Sequence, residues 1–210
     1  VALGLEAEGL PYKFVHGAGT YTPDKVTNTT DWMLAVTKER TFAEGTITAK
    51  IKMGTLSDSG IVFGLTDNGL ANYWEEGVSY YEFFITGWNG VYLAKINNGW
   101  NELKSLPCGM QPNVEYTLKV EWKDGNIRCY VDDVMYIDYT DANPLTGTKY
   151  GYRTMGAGVE YGPITTTDTV SEHIVPPIDY NIVSGNAKEA DGKITSMMPN
   201  TLLTNKEGSF

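Results

Sequence analysis

Histidine and cysteine are nearly missing from this 210-residue chain, with two of each. His16 and His173 have no partner residue at useful spacing, which argues against a histidine-dependent triad or a zinc site. Cys108 sits in a Pro-Cys-Gly turn and Cys129 in an apolar strand pattern, with no CxxC spacing to hold structural zinc. Two readings stay open for them, a disulfide or a pair of buried thiols. Basic residues are also scarce. Sixteen Lys and Arg stand against twenty-six Asp and Glu, a net charge of −10. So acidic a surface repels phosphate backbones and anionic lipid, so nucleic acid and membrane surfaces are not expected partners. No run approaches the roughly 18 apolar residues of a membrane span, so no membrane insertion is expected. Helical periodicity is missing as well, with no amphipathic stretch longer than two turns.

What is present is alternation. In Thr46-Ile47-Thr48-Ala49-Lys50-Ile51-Lys52-Met53 every second residue is apolar, the pattern of a strand with one buried face. The stretch 114–122 repeats it, with Tyr116, Leu118, Val120 and Trp122 on one side. Asp124-Gly125 then predicts a hairpin turn, because both residues tolerate positive φ, and 126–132 returns as the partner strand. Asp132-Asp133 turns the chain again into 134–139. Further strands are expected at 32–36, 60–66, 79–86, 90–96, 149–154 and 157–162, punctuated by Gly, Asn, Asp and Pro. The fold class expected is all-β, a two-sheet antiparallel jelly-roll sandwich spanning about residues 12–165.

One strand breaks the alternation. Ser79 to Ile85 is apolar on both faces. Tyr81, Phe83 and Ile85 suit the core between sheets, which puts Tyr80, Glu82 and Phe84 together on the other face. Either a long loop covers that face, or it is an exposed aromatic floor with one carboxylate, suited to a ligand.

The chain also matches itself. Tyr12–Phe42 and Tyr180–Phe210 align without a gap at an offset of 168, with nine identities in 31 positions, where unrelated segments share about two. The expected organisation is a sandwich module over 1–173, then a linker and the opening strands of a second repeat over 174–210. The chain then has neighbouring domains in a longer modular protein. Its Thr-, Asn-, Tyr- and Gly-rich composition points to an extracellular or cell-surface setting.

Several segments resemble the concanavalin A-like lectin/glucanase superfamily, laminin-G-like branch. Phe42 to Ile51 is similar to its opening strand, Gly60-Ile61-Val62-Phe63 to its next, and Tyr80-Tyr81-Glu82-Phe83 to its tyrosine-rich strand. Glu115 to Glu121, Asp124-Gly125 and Cys129 to Asp133 resemble its central hairpin, and Gly151 to Thr154 with Val159 to Tyr161 its closing pair. Among its members the chain is most similar to fructan-binding modules of levanases and inulinases. It departs from them at Gly64, where they carry an arginine, and at Met155, where they carry an aromatic. The superfamily's glucanases carry a Glu-x-Asp-x-x-Glu cluster that sets three carboxylates on one sheet face. This chain has none, since the adjacent Glu75 and Glu76 would face opposite sides of a strand.

The resemblance implies a carbohydrate partner, oligo- or polysaccharide. Residues suited to it are Trp74, Trp88 and Trp100 in turn-rich segments, whose indoles can stack on the flat C–H faces of a sugar. Tyr80 and Glu82 join them from the two-faced strand, and Arg153 could fork onto vicinal hydroxyls or a carboxylate. The tryptophans read equally as lids over the sandwich, and Arg153 as one half of a surface ion pair. No catalytic residue is assigned. Cofactor need is open as well. Asp58, Asp67, Asp132 and Asp133 sit in turns that could offer oxygens to Ca2+, which the superfamily often binds, or are plain turn formers. The function expected is a non-catalytic carbohydrate-binding module of a secreted multidomain protein. The alternatives are a glycoside hydrolase with Glu82 as its acid or base, and a structural adhesion spacer.

Overall fold

The computed structural model describes residues 11–54, 57–66, 78–87, 90–108 and 110–172, and beyond them the backbone of four short strands. The chain opens with β1 (Tyr12–His16), β2 (Gly19–Thr22), β3 (Lys25–Asn28) and β4 (Trp32–Thr37). The central strands are β5 (Gly45–Lys52), β6 (Asp58–Leu65), β7 (Ser79–Thr86), β8 (Gly90–Asn97) and β9 (Trp100–Leu106). They are followed by β10 (Glu115–Lys123), β11 (Asn126–Val131), β12 (Val134–Thr140), β13 (Lys149–Met155), β14 (Glu160–Tyr161) and β15 (Thr165–Thr167). Two antiparallel sheets result. The first has the order β1-β4-β13-β6-β7-β8-β9 and the second β12-β11-β10-β5-β14-β3-β2, with β15 added beside β5. Among the described residues there is no helix.

Alternation builds the second sheet. Ile47, Ala49 and Ile51 of β5 and Leu118, Val120 and Trp122 of β10 are buried in the core, while Thr46, Thr48 and Lys50 point away. The expected hairpin between β10 and β11 forms, with Asp124 at φ 51° and Gly125 at φ 78°. Asp132 and Asp133 make a second such turn at φ 48° and 63°. Facing this sheet, Ile61, Phe63, Tyr81, Phe83, Tyr150 and Tyr152 fill the space between the layers. Both cysteines are free and buried.

Three expectations need correction. The strand expected over 157–162 shrinks to Glu160–Tyr161, because Gly156 and Gly158 take positive φ and the Asn28 side chain and carbonyl hold the bend. The strand β9, hydrophilic at most positions, was not expected and follows an Asn98–Gly99 hairpin turn. Arg153, read as one half of a surface ion pair, is buried on β13, an inner strand of the first sheet.

The four strands beyond are β16 (Tyr180–Ser184), β17 (Ala187–Ala190), β18 (Lys193–Ser196) and β19 (Leu202–Asn205), paired β16–β19 and β17–β18.

Candidate functional site

The register of the first sheet gathers four sequence-selected residues on its outer face. Residues directly opposite in adjacent strands share a face. One row runs Leu34, Arg153, Gly60, Phe84 and Tyr92. The next runs Val36, Gly151, Val62, Glu82, Ala94 and Glu102, and a third Tyr80, Ile96 and Trp100. Trp74 and Trp88 lie outside the described residues.

This face is covered, not open. Tyr80 and Glu82 are 0% exposed and Arg153 6%. Leu34, Val36, Val62, Ala94, Ile96 and Phe84 form a second apolar cluster there, with Phe84 stacked on Tyr92 at 5.0 Å. Tyr80, Glu82 and Arg153 are therefore buried on this face, not an exposed floor. Trp100 is the exception, 47% exposed at the edge of the sheet.

Within the cover sits a charge cluster. At its centre is Arg153, which lies opposite Gly60 in the register. Its Nη1 donates to Glu82 Oε1 at 2.8 Å and to Asp58 Oδ1 at 3.2 Å. The guanidinium also lies over the Trp32 ring, 5.1 Å from its centre. Arg153 is therefore half of a buried ion-pair cluster, not of the surface pair that its sequence position suggested. Asp58 accepts a further bond from Met155 N at 2.9 Å, so it is a strand residue engaged in the sheet instead of a free turn carboxylate. Burial pushes Glu82 up to about 7, against the pull of Arg153 and with the repulsion of Asp58. Burial likewise raises Asp58. For Arg153 burial opposes the charge, yet Glu82 and Asp58 outweigh it and hold the guanidinium protonated. Among the described residues Glu82 Oε2 and Arg153 Nε have no hydrogen-bond partner.

The two carboxylates share one guanidinium nitrogen, so their oxygens lie no farther apart than about 6 Å, close to a glycosidase spacing. Closeness is not enough for that chemistry. A nucleophile must reach an anomeric carbon and an acid must reach a leaving oxygen. Here Arg153 holds Glu82 Oε1 and Asp58 Oδ1, and both carboxylates are buried.

An open concavity lies elsewhere, where the edge strands β1 and β2 close the sandwich. It is a cleft of about 260 Å³, walled by Tyr12, Tyr21, Thr22, Lys25, Arg40 and Pro163 among others. The rings of Tyr12 and Tyr21 are 6.2 Å apart and tilted. Tyr12 is buried to the rim, and burial raises its hydroxyl. Lys25 is held by Glu160 at 2.9 Å, both half-exposed. Arg40 is exposed on the loop after β4, whose carbonyl the Thr37 hydroxyl caps at 2.9 Å. No carboxylate pairs with its guanidinium among the described residues. Sequence reading missed this cleft because its walls come from both chain ends of the module and from both sheets. Tyr12 entered the sequence reading only as the start of the repeat.

Among the described residues no group of three His, Cys, Asp or Glu is placed to hold a metal ion. Asp132 is engaged with the backbone N–H of Thr117 at 2.8 Å, and Asp133 pairs with Lys119 at 3.1 Å. Asp67 lies outside the described residues.

No family profile and no curated protein matches the sequence. Solved structures do match. The carbohydrate-binding module CBM66 from Bacillus subtilis superimposes with a TM-score of 0.62 at 16% identity, covering 74% of this chain and 94% of that one. A protein of unknown function with a galectin-like fold, also from Bacillus subtilis, reaches 0.54 at 14% identity, over 73% of this chain and 87% of that one. A Bacillus licheniformis beta-glucanase reaches 0.51 at 13% identity, over 77% and 92%. These likenesses establish a concanavalin A-like jelly-roll fold, one shared by a binding module and a hydrolase alike.

Proposed function

We propose that this concanavalin A-like sandwich is a carbohydrate-binding module that holds its ligand without cutting it. The observation that carries the reading is the cleft beside β1 and β2. Its volume of about 260 Å³ suits a single sugar ring. Tyr21 supplies an aromatic face for the C–H side of a pyranose or furanose, with the buried Tyr12 packed behind it. Thr22, Lys25 and Arg40 supply donors for its hydroxyls at one rim. Binding rather than hydrolysis is supported by the state of Glu82 and Asp58, which are tied to Arg153 and buried. Trp100, exposed at the edge of the first sheet, is a second platform for a longer chain. Secretion or cell-surface display accords with such a ligand.

The experiment is a glycan array with the intact chain, followed by calorimetry on each hit with Tyr21→Ala and Arg40→Ala. Each substitution should weaken binding about tenfold or more while the melting temperature stays within a few degrees. Unchanged affinity in both variants would move the ligand away from the cleft. No hit on a broad array would favour a structural spacer.

A further inference from the structure

The four terminal strands copy the four opening strands hydrogen bond for hydrogen bond. β1 pairs with β4 as Tyr12↔Thr37, Lys13↔Val36, Phe14↔Ala35 and His16↔Leu34, with a bulge between Phe14 and His16. β16 pairs with β19 as Tyr180↔Asn205, Asn181↔Thr204, Ile182↔Leu203 and Ser184↔Leu202, with a bulge between Ile182 and Ser184. Every residue number differs by 168, the offset of the sequence match, and the bulge falls at the same place. The inner pair follows suit. Gly19↔Asn28 through Thr22↔Lys25 in β2 and β3 becomes Ala187↔Ser196 through Ala190↔Lys193 in β17 and β18.

Four of the nine identities fall where the first copy physically needs them. Gly17 has φ +69°, and a Cβ there would lie 1.9 Å from the Trp32 carbonyl oxygen, so only glycine fits. Its counterpart is Gly185. Tyr12, Leu34 and Phe42 are buried and recur as Tyr180, Leu202 and Phe210. Val26, also buried, recurs as Ile194. Bulges are designed features of a strand pair, and a shared bulge in a shared register is not expected of unrelated hairpins.

In the first copy β4 does not end the sheet. Its other edge carries β13, from Gly151↔Val36 to Met155↔Trp32. In the terminal copy β19 has β16 on one side and, among the described residues, no strand on the other. We propose that 180–210 open a second sandwich module and that the free edge of β19 is the docking edge for that module's counterpart of β13. A strand edge left with unpaired N–H and C=O groups recruits such a partner. The protein is then a tandem array of sandwich modules. The cleft does not repeat intact, since Tyr21 and Arg40 correspond to Glu189 and Gly208. The second module is thus expected to prefer a different ligand. That last point rests on the proposed function, whereas the duplication itself does not.

The test is a chimera in which residues 12–42 of the full chain are replaced by a second copy of 180–210. If the two segments are the same structural unit, the chimera folds with one cooperative transition, and the amides of β13 that face the new strand stay protected. If it does not fold, amide exchange in the unaltered chain decides. Facing amides of β16 and β19 slowed about a hundredfold or more, with the break at Val183, support the proposal. Exchange of those amides at unstructured rates overturns it. Failure of sugar binding leaves these readouts untouched, so the two readings fail separately.

Discussion

Each sheet buries an arginine–glutamate pair on its outer face, and the two pairs behave in opposite ways. On the first sheet Glu82 meets Arg153 at 2.8 Å and is pushed up to about 7 by burial. On the second, Glu121 meets Arg128 at 3.1 Å and is held below its usual value. Burial opposes the charge of Glu121 too, but more donors surround it. Ser171 donates from its hydroxyl and its N–H, and Tyr130 donates at 2.8 Å. Glu82 receives one bond from Arg153, leaves Oε2 without a partner among the described residues, and has Asp58 as a competing carboxylate. An opposite charge at hydrogen-bond distance does not by itself stabilise a buried carboxylate. The number of donors and the absence of a rival anion decide.

The sharpest way to break this contrast is to delete each arginine. Arg153→Met strands two buried carboxylates and should cost about 3–5 kcal/mol of folding free energy in urea titrations at pH 7. Arg128→Met leaves Glu121 with its Ser171 and Tyr130 donors and should cost less than half as much. Equal losses would remove the distinction.

The next effect is a pH dependence of defined sign. The carboxyl of Glu82 has a folded value near 7, above its ordinary 4.5, so the folded state holds the proton more tightly. Its contribution makes stability fall as pH rises from about 4.5 to about 7, by roughly 3 kcal/mol in all, and level off above. Glu82→Gln should abolish that fall. Glu121 has the opposite sign. Its stabilisation is complete above the ordinary carboxylate value and is lost as pH drops through the lowered one, and Glu121→Gln should flatten that acid limb instead.

Smaller still is the Ser171 contact. Ser171→Ala removes a donor to Glu121 and should cost about 1 kcal/mol, with the acid limb of the stability curve moved toward neutral pH. The smallest effect is at Trp100. Being 47% exposed, its replacement by alanine should change stability by less than about 0.5 kcal/mol.

Strand alternation made most of the sandwich legible. Where one face is wet and one dry, as in β5 and β10, period two is written in the side chains. Where both faces are dry, as in β6 and β7, the sequence marks the strand but not what lies over it, and Tyr80 and Glu82 read equally as a floor or as buried residues. The edge strand β9 was illegible for the opposite reason, since most of its positions face water. Among candidate site residues, the pattern placed Tyr80, Glu82 and Arg153 on functional grounds, and sheet register does bring them to one face. The ion-pair cluster joins Asp58, Glu82 and Arg153 from three different strands, a contact no linear spacing encodes. The cleft was invisible because Tyr12, Tyr21, Arg40 and Pro163 meet only when the module's two ends close against each other.

The claim that this fold binds sugar in the edge cleft and does not cut it is tested most directly by one titration. An array-selected oligosaccharide is added to the isotope-labelled chain while amide shifts and released sugars are followed together. The account predicts shifts at Tyr12, Tyr21, Lys25 and Arg40, with the oligosaccharide intact at the end. Shifts centred on β7 and β13, or release of sugar that disappears in Glu82→Gln, would contradict it.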